Sequence, residues 1–190
     1  MKIILVGYPG SQFIIPASRY LVEKYLPGFD LVFLNYEGEK EGWSNFIREY
    51  LKGIRDPYVI LALDDYLISD HFNKDLYEAS LQGFKDKRIV CIKLCETTWE
   101  EHLDYPVTTQ YTIWDRHFLI SLLSQTKDPW HFEMTGSSIF KQTDRISVCT
   151  KEPVIKYDVH SCLSSRWPGI KWDGVKQEDI DYIKNNNLIK

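Results

Sequence analysis

The chain has 190 residues, 44% hydrophobic and 26% charged, proportions that point to one globular domain with enough chain for a real core. Its net charge of −4 gives no overall attraction to nucleic acid or to an anionic membrane surface. No apolar run approaches the ~20 residues of a membrane-spanning helix, and the opening run from Ile3 to Val6 reads as too short for a signal peptide. The four cysteines, Cys91, Cys95, Cys149 and Cys162, form no C-x-x-C pair, so free buried thiols in a reducing cytoplasm are expected. Aromatic residues reach 14%, with 6 Trp and 12 Tyr, a supply that serves either core packing or a stacking surface.

In chain order, Ile3 to Val6 reads as a first buried strand, closed by Gly7-Tyr8-Pro9-Gly10-Ser11. Glycines directly after a first strand either make a plain tight turn or let backbone approach a ligand. The segment is neither G-x-G-x-x-G nor a P-loop. A helix follows from Pro16 to Leu26, stopped by Pro27-Gly28. Asp30 to Asn35 is a second strand. After a polar loop from Tyr36 to Gly42, the spacing of Trp43, Phe46, Ile47, Tyr50, Leu51 and Ile54 predicts a helix with one buried face.

Asp56-Pro57 breaks that helix and leads into Tyr58-Val59-Ile60-Leu61-Ala62-Leu63-Asp64-Asp65-Tyr66. A continuous apolar run of this length predicts a strand buried on both faces. The order β-α-β-α-β predicts parallel strands joined by right-handed crossovers. Beyond this point helical spacing returns from about Asn73 to Phe84. A strand covers Arg88 to Cys95, and Glu96 to Pro106 reads as a loop. A short strand over Gln110 to Ile113 leads to Trp114, then a helix from Asp115 to Ser124. Asp128-Pro129 predicts a helix start, with Asp as cap and Pro in the first turn. Strands near Ile146 to Thr150 and Val154 to His160 and a last helix over Glu178 to Asn185 complete the chain.

Several features have the chemistry of a site. Asp64 and Asp65 close the central strand, where ligands of open α/β sheets bind. Adjacent carboxylates repel unless a positive group intervenes, and a divalent cation bridging substrate phosphates would do so. The same acids also suit the cap of a following helix. Glu133 shares a helix face with Trp130 and suits either a general base or a first-turn acid favoured by the helix dipole. His160 ends the last strand as a candidate metal ligand or a structural histidine. Arg166 and Lys171, with Trp167 and Trp172, suit phosphate binding or a solvated surface.

Leu63-Asp64-Asp65-Tyr66 after a buried strand, Ile113-Trp114-Asp115-Arg116 opening a Leu-rich helix, and Pro129-Trp130-His131-Phe132-Glu133 together resemble a small family of bacterial and phage glycosyltransferases with the GT-A fold. The resemblance covers residues 1 to 175. It implies a single α/β, Rossmann-like domain with a mostly parallel central sheet flanked by helices. Residues 1–95 would bind a nucleotide sugar, 96–175 the acceptor, and 176–190 would form a terminal helix. It implies a donor, a UDP-sugar before others, held by Gly7, Tyr8, Pro9, Asp64, Asp65, Trp114, Arg166 and Lys171. Mn²⁺ or Mg²⁺ would sit on Asp65 and His160. Asp65 and Glu133 would be catalytic, with Glu133 as the base of an inverting displacement, so that E133Q abolishes transfer. Trp130 and His131 would contact the acceptor. The chain departs from the family in having Asp-Asp-Tyr for D-x-D and Val6-Gly7-Tyr8-Pro9 as its opening.

The implied acceptor is a glycan, a lipid-linked sugar or, in a phage, a hydroxylated DNA base, the last requiring the base to be flipped out. Two other readings stand beside sugar transfer. One is a nucleotidyl- or phosphotransferase using the same acids, which would release pyrophosphate rather than a nucleoside diphosphate. The other is a non-catalytic module that binds a nucleotide sugar or DNA.

Overall fold

The computed structural model describes residues 1–8, 10–95, 99–158, 172 and 174–189. The expected sites Pro9, His160, Arg166 and Lys171, with Cys162 and Trp167, lie outside the described residues.

The chain begins with β1 (Lys2–Val6), α1 (Ile15–Tyr25), β2 (Asp30–Leu34), α2 (Trp43–Lys52) and β3 (Tyr58–Leu63). β1 lies between β2 and β3 and runs parallel to both, with Ile4 opposite Val32 on one side and Leu61 on the other. The first crossover runs from β1 out to β2 and the second returns from β2 past β1 to β3; moving in opposite directions with a common right hand, they put α1 and α2 on opposite faces. Ile3 to Val6 and Val59 to Ala62 are consequently all but inaccessible to water. That double coverage explains the unbroken apolar runs.

The second half supplies β4 (Leu67–Phe72), α3 (Lys74–Leu81), β5 (Ile89–Lys93), α4 (Trp99–Asp104), β6 (Thr112–Asp115), α5 (Arg116–Leu123), α6 (Pro129–Phe140), β7 (Ile146–Cys149), β8 (Ile155–Asp158) and α7 (Gln177–Asn185). The described residues form a six-stranded sheet, β2-β1-β3-β6-β5-β7, and a two-stranded ribbon, β4-β8. Within the described six-stranded sheet, only β6 runs against its neighbours; it is wedged between β3 and β5, with Ile113 opposite Ile60 and Ile92. The fold is therefore mixed α/β with a mostly parallel, Rossmann-like sheet flanked by helices, as expected. Three local features differ from the sequence reading: β4 forms where no element was expected, α4 occupies part of an expected loop, and β6 reverses the sheet.

Caps set several boundaries. Asp115 accepts from the Phe118 amide and Asp128 from the His131 amide, both at 2.9 Å. Asn73 does the same for Leu76 at 3.0 Å. Such side-chain caps satisfy amides that the helix itself leaves unpaired. On the α2 face, Phe132 of α6 packs edge-on against Trp43 and Trp114, with ring centroids 6.1 and 5.8 Å away. On the other face, α7 is fastened to α1 through Asp179. That carboxylate is fully buried and accepts from Tyr20 (2.8 Å), Lys24 (2.5 Å) and Tyr25 (2.6 Å).

Candidate active site

The strand order switches between β1 and β3, and the region beyond the carboxyl ends of such strands is where open α/β sheets bind ligands. Two segments meet there: the turn after β1 and the acids after β3. Their backbones are joined by the Asp64 amide, which donates to Val6 O at 3.2 Å.

The turn is built around Ser11. Its hydroxyl accepts from the Tyr8 amide at 3.0 Å and lies 2.8 Å from Asp64 Oδ2 and 3.0 Å from Tyr8 O. A hydroxyl has one proton, and the nearer carboxylate takes it. Gly7 makes room for this contact: a Cβ there would lie 2.8 Å from Asp64 Oδ2 and 3.2 Å from Ser11 Oγ. Gly10 turns the chain at φ +98°, where side-chain-bearing residues are strained.

Asp64 is wholly buried, and its Oδ1 has no hydrogen-bond partner among the described residues. Burial pushes its carboxyl well above the usual carboxylate range, and the neighbouring Asp65 adds to this, against the Ser11 hydrogen bond. Asp65 is nearly as buried, and Tyr8 donates its hydroxyl proton to Asp65 Oδ2 at 3.3 Å.

Glu133 reaches this rim from α6. Its Oε1 accepts from Thr108 Oγ1 (3.1 Å), the Thr109 amide (2.7 Å) and Thr109 Oγ1 (2.8 Å). Thr109 Oγ1 also lies 3.4 Å from the Tyr66 hydroxyl. Burial, with Glu133 and Asp65 nearby, drives the Tyr66 phenol upward, against its hydrogen bond to Thr109.

The structure thus brings together Gly7, Tyr8, Asp64, Asp65 and, through Thr109 and Tyr66, Glu133. Trp114 is a correction. It was expected at the nucleotide, but it is fully buried on β6 opposite Val59, at the far end of β3. That is about 16 Å along the strand from Asp64, at roughly 3.3 Å per residue. Trp130 stands 65% exposed at the start of α6, and His131 beside it is half-buried. Ser11, Thr108 and Thr109 were not anticipated. Ser11 lay in plain view as the end of the glycine turn, whereas nothing local distinguishes Thr108 and Thr109.

Among the described residues no three His, Cys, Asp or Glu side chains converge on a metal position. A hard cation here would draw most of its ligands from phosphate and water, and would need the Asp65 carboxylate, 3% exposed, to open toward them. Among the described residues no helix is long and apolar enough to cross a membrane.

Such a sheet, with its strand order switching beside β1, is of the open α/β kind in which ligands bind beyond the carboxyl ends of the strands. No protein-family model and no curated protein sequence matches the chain. Among solved structures, a cytidylyltransferase from Leptospira borgpetersenii is similar, with a TM-score of 0.49 and 11% identity over 99% of this chain and 95% of that one. A 4-diphosphocytidyl-2C-methyl-D-erythritol synthase from Anaerococcus prevotii has a TM-score of 0.47 and 10% identity over 98% of both chains. The bifunctional IspDF from Campylobacter jejuni has a TM-score of 0.43 and 12% identity, over 83% of this chain and 52% of that one.

These findings correct the glycosyltransferase reading. One of these similar structures is named a cytidylyltransferase, another a diphosphocytidyl-methylerythritol synthase, and none of the three is named for sugar transfer, so the expected glycosyltransferase family and enzyme class are set aside. The likeness is one of chain path alone.

Proposed function

We propose that this protein is a nucleotidyltransferase that binds a nucleoside triphosphate across the crevice beyond β1 and β3. An acceptor oxygen attacks the α-phosphorus, the bond from the α-phosphorus to the bridging oxygen breaks, and pyrophosphate leaves. The acceptor's proton passes to solvent or to a nearby base. The observation that carries the reading is the convergence of the Gly7–Ser11 turn and the buried acid pair at the strand switch.

Each residue then has a task. Gly7 leaves the room in which the Asp64 carboxylate and the Ser11 hydroxyl meet beside the turn. The Ser11–Asp64 hydrogen bond fixes that turn to the end of β3. Tyr8 orients Asp65. Asp65 is the residue that would hold Mg²⁺ or Mn²⁺, which when bound neutralises charge on the triphosphate and its leaving pyrophosphate. Trp130, exposed at the start of α6, offers the acceptor an apolar wall. The pool of nucleoside triphosphates places this work in the cytoplasm.

The test is a thermal-shift screen of ATP, GTP, CTP and UTP with Mg²⁺, followed by a pyrophosphate-release assay with candidate acceptors. A ligand present at about 100 times its Kd stabilises the fold by about 2.7 kcal/mol. A rise in melting temperature with one triphosphate, lost in D65N, is the expected result. No response to any of the four would remove the proposal.

A further inference from the structure

The three hydrogen bonds into Glu133 Oε1 do more than satisfy a carboxylate. They hold the Thr108–Thr109 turn, and that turn grips β3. The Leu63 amide donates to the Thr109 carbonyl at 3.1 Å. Leu63 is the last residue of β3 and directly precedes the acid pair. The residue that follows the pair, Tyr66, meets the same threonine: its hydroxyl lies 3.4 Å from Thr109 Oγ1. Because Thr109 Oγ1 gives its single proton to Glu133, Tyr66 is the donor in that contact. The Tyr66 carbonyl in turn accepts from the Tyr111 hydroxyl at 3.3 Å. Asp64 and Asp65 are therefore clasped on both sides by one threonine, and that threonine is clasped by Glu133.

Glu133 is itself well anchored. Its helix is capped by Asp128, and one turn further on Ser137 Oγ accepts from the Val107 amide at 3.2 Å. The 107–109 segment is thus stitched to α6 at two levels.

We propose that Glu133 is a positioning residue, which fixes the acid pair through Thr109 and Leu63, rather than the proton acceptor of the reaction. Its charge-assisted bonds hold the end of β3 in one place before any ligand arrives. The inference deepens the nucleotidyl-transfer reading, and its kinetic arm rests on that reading. Its structural arm does not.

The structural arm is amide hydrogen exchange on E133Q, E133A and T109A without ligand. Glutamine keeps an oxygen that accepts the same three bonds, so E133Q should leave the Leu63 and Thr109 amides within about twofold of wild type. E133A should speed both by about tenfold or more while β1 and α7 keep their protection. T109A, which retains the amide bond to Glu133, should fall between them and serves if E133A does not fold. Unchanged exchange at Leu63 in E133A and T109A would overturn the proposal, as would E133Q opening as far as E133A.

The kinetic arm uses pyrophosphate release from the triphosphate that binds wild type. A positioning role predicts that E133Q rescues about a third or more of kcat and keeps the acidic limb of the pH profile. A general base predicts a loss of about a hundredfold or more in E133Q, with that limb abolished, and would overturn the assignment. If no triphosphate binds wild type, the functional reading fails, and the exchange comparison still decides whether Glu133 holds β3.

Discussion

The Cβ that Gly7 lacks would stand 2.8 Å from the Asp64 carboxylate, so the first strand's turn and the third strand's acid are fitted to each other at one atom. The contact explains why two segments 57 positions apart in sequence can share a single site. G7A should force the turn and the carboxylate apart. Overpacking of this kind costs about 1–3 kcal/mol. The expected outcome is a lower melting temperature together with loss of triphosphate binding, read by differential scanning calorimetry and titration calorimetry. S11A leaves Asp64 Oδ2 without its hydroxyl partner, and an unsatisfied buried group costs about 1–3 kcal/mol.

Asp179 makes stability depend on pH in a defined direction. Burial alone would raise its carboxyl, but the Lys24 ammonium and the Tyr25 and Tyr20 hydroxyls hold it below the ordinary value. A carboxyl lowered on folding contributes stability above its unfolded pKa, and that contribution disappears as pH falls through the folded one. D179N should lose about 2–4 kcal/mol at pH 7. The gap between wild type and D179N should shrink below about pH 4, near the unfolded aspartate pKa. Urea denaturation of both proteins at pH 7 and at pH 3 checks this.

Two tryptophans should respond in opposite ways. Trp114 is fully buried against Phe132, and W114A should cost about 3–5 kcal/mol. Trp130 is 65% exposed, and W130A should change stability by no more than about 0.5 kcal/mol. Its effect belongs on the KM for the acceptor. Chemical denaturation and acceptor kinetics separate the two.

Chelation should act on ligand binding and not on the fold. With EDTA, apo wild type should keep its melting temperature, and the triphosphate-induced rise should vanish. D65N should bind triphosphate no better with Mn²⁺ than without it, because the carboxylate that would hold the ion is gone. Retention of a metal-dependent rise in D65N would remove Asp65 from that role.

What could be read from the sequence follows from how locally each feature is encoded. The central strand was legible because burial on both faces demands an unbroken apolar run, and Val59 to Leu63 provides it. The α6 start was legible because Asp128 and Pro129 act within one helical turn, and the cap bond to His131 is present. Strand direction has no local signature, so the reversal at β6 was invisible. β4 was missed because Leu67 to Phe72 has a polar middle that does not repeat cleanly. Trp114 was misplaced because a sheet covered on both sides gives its residues no polar alternation by which to tell core from rim. The Thr108–Thr109 turn depends on Glu133 from another helix, a pairing that no single window of sequence contains.

The antiparallel strand β6 has a bearing on the order in which the molecule assembles. Until residues 112–115 emerge during synthesis, β3 has no neighbour on its β6 side, and its outer backbone groups stand open to pairing with other chains. The nascent N-terminal half therefore passes through a sticky interval, and a fragment ending near residue 95 should aggregate rather than fold alone. The rim beyond β3 is completed only when the middle of the chain turns back and β6 closes that gap.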